Sequence, residues 1–133
     1  MTHEHRQGTG RAGLLSRVSA RLARTESELE AQDLQEDTGR LGGTLIIDLV
    51  DRSQASVFGA VRSVTLRPRV NVPALVVEIY DGSKPLNLIW LGRRRIGGVV
   101  PGIYLSAHGR VTFQHGIPTI FNPSYEIRPG RGQ

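Results

Sequence analysis

The sequence predicts a mostly β domain, a small closed antiparallel barrel of five strands preceded by one amphipathic helix. Helical apolar spacing is confined to the stretch before Arg40, and beyond it short alternating segments are punctuated by glycine-containing turns. The two longest of those segments each carry an internal glycine, Gly59 and Gly109, which permits the sharp bend a small barrel requires or marks a bulge. With 133 residues, 38% of them hydrophobic and 22% charged, the chain can build one domain around one core.

Residues 1–12 are polar and glycine-containing, with no apolar spacing to hold them to a core, and are expected to be a flexible lead. From 13 to 37, Leu14, Leu15, Val18 and Leu22 fall on one helical face, and Leu29 and Leu34 continue it among Glu26, Glu28, Glu30, Asp33 and Glu36. Arg17, Arg21 and Arg24 occupy the first half of this helix and acids the second, the reverse of what the helix dipole favours. Such a helix needs a surface to pack on: its own domain, a second copy or another protein. Residues 38–55 read as a linker and entry segment, with Gly39, Gly42 and Gly43 as a joint and Thr44 to Val50 as a short apolar run.

Residues 56–128 make the β domain. Ser56 to Leu66 alternates as a first strand, Ala74 to Tyr80 is a second, and Asp81-Gly82-Ser83 is a tight-turn signal leading to a third at Leu86 to Leu91. After a turn around Arg93 to Gly98, Tyr104 to Gln114 forms a long fourth strand, and the turn His115-Gly116 leads to a fifth at Ile117 to Phe121. Asn122-Pro123-Ser124-Tyr125 reads as a chain-reversing or closing segment anchored by its tyrosine, and 129–133 as a flexible tail.

Much chemistry is excluded at this level. Without cysteine there is no disulfide, thiolate nucleophile or cysteine-ligated zinc. No apolar run approaches the length of a membrane span and no export signal opens the chain, so a cytoplasmic protein is expected. His108 and His115 have no carboxylate or nucleophile at a spacing that suggests a shared site, His3 and His5 lie in the lead, and Asp48, Asp51, Glu78, Asp81 and Glu126 are scattered. No GxxxxGK[ST] run is present to cradle nucleotide phosphates. The expectation is a protein without catalysis, metal or cofactor.

Charge points to a partner. Seventeen basic residues against twelve acidic ones give a net +5, and all the basic residues except Lys84 are arginine. Before the joint the balance is six basic to seven acidic, and after Arg40 it is eleven to five, so the basic character belongs to the β domain. Guanidinium groups offer planar bidentate donors to phosphate.

The segment from Val57 to Ile127 resembles the OB-fold nucleic-acid-binding domains of bacteria, in particular the wedge domain of RecG-type branched-DNA helicases and the small stand-alone proteins similar to it. The residues that carry the resemblance are Phe58-Gly59-Ala60-Val61, Asp81-Gly82-Ser83, Leu86-Asn87-Leu88-Ile89-Trp90, Pro101-Gly102, His108-Gly109-Arg110-Val111 and Asn122-Pro123-Ser124-Tyr125-Glu126. Lys84 stands where the family usually has a second glycine in the turn, and a stand-alone module without motor domains is expected. The resemblance implies a five-stranded antiparallel OB-fold barrel whose ligand lies across the second and third strands, between the first-to-second and fourth-to-fifth loops.

On that scheme the candidate nucleic-acid-binding residues are Arg62, Arg67 and Arg69 at the proline-stiffened first loop, Tyr80 as a stacking platform, Lys84 at a loop tip, the run Arg93-Arg94-Arg95, and Arg110. Three adjacent cations repel one another unless an anion relieves them. Trp90 shares a face with Leu86 and Leu88 and is expected in the core. With seven aromatic residues in all, a long track of stacked bases is not available. The function expected is binding of single-stranded or branched DNA, with RNA as another candidate, through arginine-phosphate contacts of little sequence preference. The alternative is an interaction adaptor that docks on a protein partner, or on itself, through helix 13–37.

Overall fold

The structure, a computed structural model, describes residues 2–68 and 71–129, with side chains described from Arg17 onward. A long helix α1 (Thr2–Arg40) is followed by a short 3-10 turn (Ile46–Asp48) and six strands: β1 (Gln54–Arg67), β2 (Ala74–Tyr80), β3 (Pro85–Leu91), β4 (Tyr104–Gln114), β5 (Ile117–Phe121) and β6 (Ser124–Arg128). The protein is thus mostly β with one N-terminal helix. Among the described residues no helix is long and apolar enough to cross a membrane.

Five strands close into a ring in the order β1-β2-β3-β5-β4, with β4 pairing back to β1. The ring is mixed and not purely antiparallel, because β3 and β5 pair in parallel, Asn87 with Thr119 and Ile89 with Phe121. The correction has a simple cause: directions cannot alternate all the way round a closed ring of an odd number of strands, so one neighbouring pair must run the same way. The segment expected to reverse the chain is instead a sixth strand. Asn122 takes a left-handed conformation (φ 48°), the chain leaves β3, and β6 runs on along β4 with Ser124 opposite His108 and Arg128 opposite Tyr104.

β1 serves two partners. Its first half, Gln54 to Ala60, pairs with β4, and its second half, Ala60 to Arg67, pairs with β2. At the changeover the backbones approach so closely that a Cβ on Gly59 would lie 2.9 Å from the Tyr80 carbonyl oxygen and 3.1 Å from its nitrogen. The internal glycine therefore serves the bend that closes the ring. A bulge between Val61 and Ser63 sharpens the same bend.

Alternation sends Val57, Val61, Leu75, Val77, Ile79, Leu86, Leu88, Leu105, Ala107, Val111 and Ile120 into the ring. Trp90 joins them, and its ring meets Tyr125 edge-on at 5.5 Å, so it is a core residue and β6 is anchored on it. Two stretches that read as connections complete this core: Ile46 and Leu49 from the entry segment, and Ile96 and Val99 from the turn after β3.

The helix is longer than residues 13–37, and from Thr2 its backbone includes the stretch expected as a flexible lead, despite Gly8, Gly10 and Gly13. Its apolar residues also do not share one face. At 3.6 residues per turn, Leu29, Leu22 and Val18 lie roughly 120° to 160° around the axis from Leu34. Leu34 is buried against Phe58 and Ala60, with Leu41, Tyr80 and Tyr104 packed beside it, and Phe58 stacks on Tyr104 at 5.9 Å. Among the described side chains the last turns alone dock, and those from Arg17 to Glu30 are exposed. Leu34→Ala should cost about 3 kcal/mol by emptying this second core; a urea titration followed by circular dichroism reads the loss.

The turn between β2 and β3 receives the helix. Gly82 has φ 91°, and a Cβ there would collide with the backbone carbonyl of Ala31. Gln35 Nε2 donates to the Gly82 carbonyl at 2.9 Å. Lys84 takes no left-handed conformation, which is why the turn forms without a second glycine.

Candidate nucleic-acid interface

Because Leu75, Val77, Ile79, Leu86, Leu88 and Trp90 point inward, their neighbours on β2 and β3 make an outer face. Strand register arranges that face in rows: Ser63, Glu78, Asn87 and Thr119; then Thr65, Val76, Ile89 and Phe121; then Arg67, Ala74 and Leu91. Ala74, Val76 and Ile89 form a small buried cluster on which Phe121 packs while remaining half-exposed.

The last row continues into Asn122. Leu91 donates its backbone N–H to Asn122 Oδ1 at 3.0 Å, and Asn122 donates its own to the Ile89 carbonyl at 2.7 Å. Gly92 donates to the Pro73 carbonyl at 2.8 Å, tying the chain after β3 to the loop between β1 and β2. The first loop and the arginine run, far apart in sequence, therefore meet at one end of the outer face. Arg67, Arg93, Arg94 and Arg95 are all exposed there, and among the described residues none of the four makes an ion pair. Glu78, the nearest carboxylate on the face, lies two rows away.

Arg110 belongs to the same surface by register. Val111 faces Ile120, both inward, so Arg110 and Phe121 are the outward residues next along β4 and β5. Its guanidinium is steadied by a 3.3 Å hydrogen bond from Nη1 to the Arg52 carbonyl. Arg69 lies outside the described residues.

The remaining candidates are elsewhere. Arg62 donates to Glu30 of the helix at 2.9 Å and lies over the Tyr80 ring, 4.9 Å from its centroid. Tyr80 packs in the helix dock and donates its hydroxyl to the Gly82 carbonyl at 3.2 Å, so its ring is no open platform for a base. These two residues hold the helix to the ring. Lys84 is exposed on the turn at the helix-bearing end of β2, with the length of that strand between it and Arg67.

His108 lies on the outer side of β4, where its Nδ1 shares a 2.8 Å hydrogen bond with Ser56 Oγ across the strands. His115 (φ 52°) and Gly116 (φ 80°) are both left-handed, the geometry of the two-residue turn joining β4 to β5.

Phe121, an aromatic on the outer face outside the expectation for β2 and β3, is legible in the alternation of β5, which turns Ile120 inward. Phe121→Ala is expected to weaken binding of single-stranded DNA by about 1 to 3 kcal/mol, the worth of one stacked base. Tyr80→Leu, which removes the ring but keeps an apolar side chain in the helix dock, should leave it unchanged; anisotropy titrations of the two variants compare them.

No protein-family model matches the chain, and no curated protein matches it. Among solved structures it is similar to RecG bound to a three-way DNA junction, with a TM-score of 0.55 at 21% sequence identity, over 67% of this chain. The match takes in 13% of that RecG chain, so the likeness is one of fold over a small part of a much larger protein.

Proposed function

We propose that the five-strand ring is an OB-fold of the wedge type, and that the protein binds single-stranded or branched DNA through arginine-phosphate contacts with little sequence preference and no chemistry of its own. The observation that carries this reading is the gathering of Arg67, Arg93, Arg94 and Arg95, without acidic partners among the described residues, beside an outer face that holds Phe121. Unpaired guanidinium groups at one edge of a small aromatic and apolar platform suit a flexible strand, whose phosphates and bases can be met together.

Further support comes from the fold shared with RecG, which in its solved structure holds a three-way DNA junction. A cytoplasmic setting is part of the same proposal. RNA offers the same phosphates and stackable bases, and competition by RNA of equal length ranks the two.

The test is a fluorescence-anisotropy titration with single-stranded, duplex and three-way-branched DNA of equal length at two salt concentrations. Binding that favours the open or branched forms and weakens with salt is expected. Absence of binding to all three at low salt would overturn the proposal.

A further inference from the structure

We propose that α1 pairs with the α1 of a second copy of the chain, in antiparallel register, through the face opposite the ring. The inference goes beyond the DNA-binding reading and does not depend on it.

The helix is about 58 Å long at 1.5 Å per residue, yet among the described side chains only those of its last turns touch the ring. On the far side Val18, Leu22 and Leu29 are 53%, 61% and 54% exposed. Val18, Leu22, Thr25 and Leu29 are spaced by four, three and four residues, the alternation of a coiled-coil seam. Thr25 donates its hydroxyl to the Arg21 carbonyl at 3.0 Å, so the one polar position on the seam brings no unmet hydroxyl into it. Val18, Leu22 and Thr25 are turned away from Leu34, and Leu29 borders a groove shared with Leu34 and Tyr104, so a partner helix along the stripe approaches the ring at that end alone.

Charge selects the partner and its direction. Arg17 and Arg21 precede the middle of the stripe, and Glu26 and Glu28 follow it. A parallel pairing would lay basic half beside basic half and acidic beside acidic. An antiparallel pairing with Leu22 opposite Thr25 of the second copy sets Val18 against Leu29 of the second copy. The same register brings Arg21 beside Glu28 of the second copy, and two-fold symmetry makes that contact twice. A helix carrying opposite charges on its two halves, with its apolar seam between them, is complementary to itself reversed.

Sedimentation velocity of the full chain tests this. A dimer is expected at micromolar concentration, and Leu22→Glu, which places a charge in the seam but alters a side chain already exposed in one chain, should raise its dissociation constant by at least ~100-fold. Arg21→Glu should weaken it too, and adding Glu28→Arg to Arg21→Glu should restore it. A wild-type chain that stays monomeric up to about 100 µM, a dimer indifferent to Leu22→Glu, or a double reversal that fails to rescue would each overturn the proposal. Leu22→Glu should bind DNA at each site as the wild type does, which separates this result from the fate of the DNA-binding reading.

Discussion

Replacing Arg67, Arg93, Arg94 and Arg95 together by glutamine is expected to remove most of the affinity for single-stranded DNA. Each arginine that neutralises a phosphate releases bound counterions, and on single strands each contact adds about 0.7 to the slope of log affinity against log salt. Loss of four contacts should therefore flatten that slope by about 3 and weaken binding several-hundred-fold near 0.1 M salt, on the order of 4 kcal/mol. All four side chains are exposed and unpaired by carboxylates among the described residues, so the variant should melt as the wild type does. Arg62→Gln and Lys84→Gln are the internal controls. Arg62 is engaged with Glu30 and Tyr80, and Lys84 lies at the other end of β2, so neither change should move the slope. A slope shift in these two equal to that of the arginine cluster would mean that the DNA lies elsewhere on the ring.

The largest effect on stability is expected from Asp81. Its carboxylate is fully buried and gathers four donors from three residues. Oδ2 accepts the Ile46 N–H at 2.8 Å, and Oδ1 accepts the Ser83 N–H at 2.9 Å, the Ser83 hydroxyl at 2.6 Å and the Lys84 N–H at 3.3 Å. One side chain thus fixes the β2-β3 turn that receives the helix and holds the 3-10 turn whose Ile46 completes the core. Asp81→Ala leaves at least two of these donors without a partner, at about 1 to 3 kcal/mol each. A loss of about 3 to 5 kcal/mol is expected, with a fall in Tm of more than ~10 °C for a domain of this size. Calorimetry measures it, and a loss below ~1 kcal/mol would show that water or backbone shifts replace the carboxylate at little cost.

Strand positions and turns were legible because each rests on local signals: period-two alternation for β1 to β5, and paired left-handed residues for the turn at His115 and Gly116. What escaped depends on distant parts of the chain. Ile46 and Leu49 look like a linker until the ring offers them an interior, and nothing local distinguishes β6 from a loop until β4 offers its edge. The site divided along the same line. Charge and loop position single out Arg67 and the run from Arg93 to Arg95, and the fold brings these two stretches to one end of the outer face. Arg62 stands out by its charge and Tyr80 as an aromatic on β2, but the helix that begins far upstream engages both, through the ion pair from Glu30 to an Arg62 that stays exposed and through packing on Tyr80, and no pattern around either residue announces it. Reading Leu34 together with Leu22 and Leu29 failed for a related reason: helical spacing shows that residues are apolar in rhythm, and small angular drifts decide which of two surfaces each one meets.

The account rests on DNA lying against the arginine-bearing end of the outer face. Titrating the 15N-labelled protein with a short single-stranded oligonucleotide and following backbone amide shifts tests that placement most directly. Shifts concentrated at 65–68, 74–76, 89–95, 110 and 119–122, with the amides of α1 and the Asp81 turn unmoved, are the predicted result. Shifts centred on α1 and Tyr80, with the arginine run silent, would contradict it.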